Sequence, residues 1–143
     1  MLDAMDRRTP VPLLPMMANH QKQNMRDHLL AVQEIVTAVA AKDFDSVQTS
    51  VRRIGYSEQM GQMCEHMGAG APGFTDLALE FHRTADKIGD AAKQHDPNAV
   101  LKAVSDTLAV CTSCHQTFRQ QVVDDTAWAE LTKTRAPGGS HPR

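Results

Sequence analysis

The segment Cys111-Thr112-Ser113-Cys114-His115 has residue types and a spacing that can do chemistry. Thiols three residues apart on a helix lie within one turn of each other, so each can add to one vinyl group along the edge of a single haem. The adjacent imidazole then reaches the iron from the face below. Cys-x-x-Cys-His is the signature of that covalent attachment. Two other chemistries use part of the pattern. A redox pair of the thioredoxin type needs a preceding strand and a βαβ context, which this sequence lacks. Half a zinc site needs a second pair of ligands, which Cys64 alone does not supply. Three cysteines are also too few for a disulfide scaffold.

A second group of soft ligands lies upstream. The stretches Met16-Met17-x-x-His20 and Met60-x-x-Met63-Cys64-x-His66-Met67 are rich in methionine and histidine. On a helix Met60, Met63 and Met67 share a face, with Cys64 one turn after Met60. Thioether, thiolate and imidazole suit copper, above all Cu(I), so Met60, Met63, Cys64, His66 and Met67 form a candidate copper set. The plainer alternative is flexible filler around an irregular cofactor. Cys64 itself is open between an inert buried thiol, an intermolecular disulfide and a metal ligand. His82 and His95 are read as surface residues, and His141 as a solvated tail residue.

The elements that position these groups must be helices. Aromatic residues make up 4% of the 143, too few for a sheet protein of this length, which points to an all-α fold in one domain. Lys+Arg 15 against Asp+Glu 17 leaves a formal net charge of −2, which excludes a strongly basic nucleic-acid binder. No apolar run is long enough to span a membrane. The charged start Met1–Arg8 carries no signal peptide, so an exported protein is expected to be present here in mature form. No Ser/His/Asp spacing, phosphate loop or supported carboxylate pair suggests an enzyme.

Breakers divide the chain. Residues 1–15 form a Pro-rich arm, expected to be extended with Val11, Leu13 and Leu14 against the body. Residues 16–131 form the helical domain, and 132–143 a Pro/Gly-rich disordered tail. The first helix, from about Met16 to Ala41, carries a stripe of Met25, Leu29, Val32, Val36 and Val39. A second starts near Asp45 or Ser46 and carries Val47, Val51 and Ile54, with a kink or unwinding near Gly55 before Met60, Met63 and Met67. It ends in the loop 68–73. A third begins around Thr75 and presents Leu77, Phe81, Ala85, Ile88 and Ala92. The fourth is capped by Asp96 with Pro97 in its first position, and runs Leu101, Val104, Leu108, Cys111, His115, Phe118 and Val122 without a break. That phase turns His115 inward. Beyond Asp124-Asp125 the helix frays, with Trp128 and Leu131 packing back. Four helices with short connections describe an antiparallel four-helix bundle.

A Cys-x-x-Cys-His on the last helix of such a bundle resembles the class II c-type cytochromes, the cytochrome c-prime family. Phe118-Arg119 matches the aromatic and basic residues that follow the family motif, and the resemblance covers about 16–123. It implies a periplasmic cytochrome with haem c bound through Cys111 and Cys114, and His115 as proximal iron ligand. In the low-spin branch a Met near the start of the first helix is the distal ligand, and Met25 stands at that place. The alternatives are Met25 as a core residue and His28 as its rival or as a propionate partner. Arg26 matches a propionate-pairing Arg. Six-coordinate relatives look like electron carriers working with redox partner proteins. Five-coordinate relatives resemble binders of nitric oxide or carbon monoxide. A third reading is a copper-handling haem protein. Family members often pair through their first two helices, which leaves a homodimer open. The Pro-rich arm and the Met/His-rich segment depart from the family pattern.

Overall fold

The computed structural model describes residues 3–133. Of the expected tail 132–143, Thr132 instead closes the last helix, and residues 134–143, with His141, lie outside the described ones. After a short 3-10 turn at Asp3–Met5, strand β1 covers Thr9–Leu13. Helices follow at Pro15–Ala40 (α1), Phe44–Val51 (α2), Glu58–Met67 (α3), Phe74–Ala92 (α4) and Pro97–Thr117 (α5). Strand β2, Phe118–Val122, and helix α6, Asp125–Thr132, complete the described chain.

The helix boundaries follow from local chemistry. Asp43 accepts from the Ser46 N–H at 3.0 Å, Ser57 from Met60 at 3.1 Å and Asp96 from Asn98 at 2.9 Å, each satisfying a donor that a helix start leaves over. Pro97 takes the first turn of α5 as expected. The predicted unwinding near Gly55 is a full break between α2 and α3. There Asp86 of α4 approaches so closely that a Cβ on Gly55 would meet its carboxylate, and it accepts the Tyr56 N–H at 3.2 Å. Gly73 sits at φ 86°, a left-handed conformation that turns the loop into α4; the helix thus begins at Phe74, one residue before the expected Thr75.

Helix α4 packs extensively on α5, α1 on α2 and α2 on α4, while α1 touches α5 more sparsely. The main core contains Ile35, Val47, Ile54, Phe81, Ile88, Val100 and Val104, with Cys111 packed against it. A second core gathers Val11, Leu13, Met17, Met67, Phe74 and Phe118, with Leu77, Cys114 and Trp128 at its edge. The motif cysteines therefore stand where the two cores meet.

Two stripes expected from the sequence are out of phase with the structure. On α1 the inward residues are Met17, Ala18, Gln21, Ala31, Val32, Ile35, Ala38 and Val39, whereas Met25, Leu29 and Val36 are exposed. Small Ala31 and Ala38 beside Ile35 let α1 lie close to its neighbours, and this rather than the largest apolar side chains sets its rotation. On α5 the buried set is Val100, Ala103, Val104, Thr107 and Val110, while Leu101 and Leu108 are exposed.

The fourth expected helix also ends earlier than its pattern suggested. Phe118–Val122 is a strand paired in parallel with β1, Thr9 opposite Phe118 and Leu13 opposite Val122. Pro10 and Pro12 alternate with the residues that bond, because in a parallel pair only every second residue faces a given partner strand. The Val123 N–H extends the ladder by donating to the Leu13 carbonyl at 2.9 Å. Within the expected arm, Thr9–Leu13 is thus extended with Val11 and Leu13 buried, and Pro15 already belongs to α1. Trp128 is half-buried on α6, but Leu131 is exposed.

Candidate haem site

Cys111 and Cys114 lie one turn apart near the end of α5, both half-buried and both free thiols. Burial raises the pKa of each, and for Cys114 the neighbouring Cys111 adds to the effect, so both are protonated thiols at neutral pH. Thioether formation consumes two such thiols.

His115 does not point into the core as the sequence phase implied; it is exposed. The reason is the rotation of α5. Ala109, Val110 and Ser113 line a groove with Leu77 of α4. Leu101, Leu108 and His115, spaced by seven, consequently occupy the flank of α5 turned away from α4. Helix α1 has a matching flank. Its Asp27 and Glu34 pair with Arg53 after α2, at 2.6 Å for Asp27, which fixes the side of α1 that meets α2. Met25, Leu29 and Val36 stand on the other side. Two exposed apolar flanks, one with the histidine and one with a thioether, thus border the sparse seam between α1 and α5.

Behind Met25 the inner face of α1 carries His28, half-buried and stacked on Phe81 with ring centroids 4.7 Å apart. His82 meets it edge-on at 5.5 Å. Contrary to its reading as a surface residue, His82 is buried, with Nδ1 2.7 Å from the Ile54 carbonyl oxygen at the α2–α3 break. An oxygen acceptor requires that nitrogen to carry the proton, leaving Nε2 as the lone-pair side. The sequence signal was available in hindsight: His82 follows Phe81 at the edge of a helix stripe, and the carbonyls freed at Gly55 need donors. Burial lowers the pKa of both rings; that of His28 falls to about 4, with the charge of His82 adding to the effect and Asp27 opposing it. His95 is exposed as expected and stacks on Phe44.

Beyond the motif, Phe118 is buried edge-on against Phe74 at 5.5 Å. Arg119 is half-buried, and its Nε is a buried donor without a hydrogen-bond partner. Such an orphaned donor next to the motif fits an acidic group carried by a ligand. Arg8 of the arm, held by Asp6, donates from Nη1 to the His115 carbonyl at 3.2 Å. Arg26 is exposed beside Met25. Two uncommitted thiols, an exposed imidazole and an unpaired guanidinium donor match what a covalently bound haem demands, so the residues fit the group.

The candidate copper set is split. Cys64 and Met67 are buried, Met60 and Met63 half-buried, and His66 is exposed with its ring edge-on to Trp128 at 5.6 Å. Cys64 and His66, two positions apart, face opposite sides of α3. Met17 and Met67 lie in the second core with Met63 packed against it, while Met16 and His20 are exposed. Among the described residues no three His, Cys, Asp or Glu side chains are close enough to hold a metal ion. Burial, with the charge of Glu65, pushes the Cys64 thiol up to about 11.

The family model described as Cytochrome C' matches residues 69–119, which take in α4, α5, the Cys-x-x-Cys-His motif and Phe118-Arg119. This bears out the resemblance to the class II c-type cytochromes and supports a c-type haem protein of the electron-transfer or gas-binding kind. Neither the curated proteins nor the solved structures give a match. Among the described residues no helix is long and apolar enough to cross a membrane.

Proposed function

We propose that this protein is a periplasmic c-type cytochrome, an electron carrier rather than an enzyme, with α1, the broken α2–α3 pair, α4 and α5 forming an antiparallel four-helix bundle. Cys111 and Cys114 hold haem c through thioethers, His115 is the proximal ligand and Met25 the distal one. The bound haem supplies a one-electron ferric/ferrous couple. The protein supplies the rest. The exposed Leu101, Leu108 and Leu29 offer apolar surface that the group would cover, Arg119 and Arg26 offer partners for carboxylates, and a thioether sulfur from Met25 would favour the reduced state and raise the potential.

One observation carries the reading. Met25 is 38% exposed on the side of α1 away from the Asp27 and Glu34 pairs that meet α2, so its thioether is committed to neither core. The gas-binding alternative differs only in leaving the sixth position open, and the same experiment separates the two. Spectra of the haem-loaded protein, oxidised and reduced, should be low-spin and resist carbon monoxide, and Met25→Ala should convert them to high-spin with a lowered potential. A native protein already high-spin and quick to bind carbon monoxide would return Met25 to a packing role.

A further inference from the structure

The seam between α1 and α5 is sparse, yet one polar tie crosses close beside it. Gln120, on β2 five residues beyond His115, donates from Nε2 to the Gln21 Oε1 at 2.6 Å and to the Ala18 carbonyl at 3.2 Å. Gln21 lies four residues before Met25, on the inward face of α1, and is one of only four polar side chains buried among the described residues. A buried amide is kept in a helix interior at the expense of an apolar side chain only where it is hydrogen-bonded, and here Gln120 supplies the donor to the Gln21 oxygen.

The placement matters because β2 is itself fixed. Its ladder with β1 fastens Phe118–Val122 along its length, and Phe118 anchors it in the second core. A rigid strand leaving the histidine-bearing turn therefore reaches across and holds the α1 turn next to Met25. We infer that the Gln120–Gln21 hydrogen bond is a positioning pair that sets how closely the Met25 turn of α1 approaches the open face of the iron. Gln21 and Gln120 touch neither iron nor haem in this role; they act through the spacing of the two chain segments. The inference rests on the reading above that α1 faces the iron opposite His115.

The test uses the haem-loaded protein and two readouts, the low-spin share of the absorption spectrum and the rate of carbon monoxide association. Gln120→Leu and Gln21→Leu fill similar volume without the hydrogen bond, and Gln120→Asn keeps the amide but shortens its reach. All three should raise the high-spin share and speed carbon monoxide association several-fold. Gln21→Glu keeps the acceptor and should retain native behaviour. In a Met25→Ala background the glutamine variants should not change the spin state further, since a shared effect is not additive. Circular dichroism establishes that each variant is folded, and Gln120→Asn serves where leucine disrupts the fold. Folded leucine and asparagine variants with native spectra and native carbon monoxide rates would overturn the inference. A Met25→Ala protein with an unchanged spectrum would instead remove Met25 as ligand, and the tie then stands or falls on the carbon monoxide rate alone.

Discussion

Lowering the pH should destabilise this protein before its carboxylates titrate, because His28 is held neutral. An ordinary histidine takes up its proton near 6.5, whereas His28 in the folded chain does so only near about 4. Between those values the unfolded chain binds the extra proton and the folded chain does not, so stability falls as pH falls. The loss starts below the unfolded value and is complete once the pH drops through the folded one. Over the whole window it amounts to about 3 kcal/mol, and by about pH 5 to roughly 2 kcal/mol. His82, shifted in the same direction, steepens the fall. The assay is urea unfolding followed by circular dichroism at a series of pH values from neutral to about pH 5, comparing the native chain with His28→Phe. The phenyl ring keeps the stack on Phe81 and cannot titrate. The native midpoint should drop markedly while that of the variant drops much less. Equal slopes for the two proteins, or a flat native profile, would refute the reasoning.

The remaining predictions concern packing, capping and a thiol. Leu13 of the arm is fully buried, so Leu13→Ala should cost about 3 kcal/mol and lower the unfolding midpoint accordingly; a loss under about 1 kcal/mol would mean that the arm is not part of the cooperative unit. Asp96→Ala removes the cap of α5 and should cost about 1 kcal/mol in the same measurement. In the haem-loaded protein Cys64 is the remaining thiol. Its burial and raised pKa predict no alkylation by iodoacetamide at mildly alkaline pH until denaturant is added, and mass spectrometry should then find one label per chain.

Much of this architecture is written locally, and that part was legible. Asp96-Pro97 opens α5 where it should, the glycine loop separates α3 from α4, and Leu77, Phe81, Ala85, Ile88 and Ala92 form the inner stripe of α4 with all five buried or half-buried. Cys111 to His115 could be read because its chemistry depends on spacing within one turn. The failures are all non-local. The rotations of α1 and α5 depend on which neighbour comes closest. An apolar count places Met25, Leu29, Leu101 and Leu108 inside when they line an outer seam. Phe118–Val122 fits a helix phase until a strand arrives to pair with it, and that strand lies at the other end of the described chain. His82 was placed at the surface because the carbonyl it satisfies belongs to a break in another helix.

The β1–β2 ladder has a kinetic meaning as well. Its partners are roughly a hundred positions apart, so closing it demands that almost the whole intervening chain already be in place. Closing so long a loop carries a large entropic cost, so the ladder is expected to form late in folding. Its second strand begins four residues after Cys114, so while the ladder is open the motif lacks the clasp that fastens its C-terminal side. If haem is attached at Cys111 and Cys114 as proposed, the ribbon would thereby order assembly in time: attachment first, enclosure afterwards.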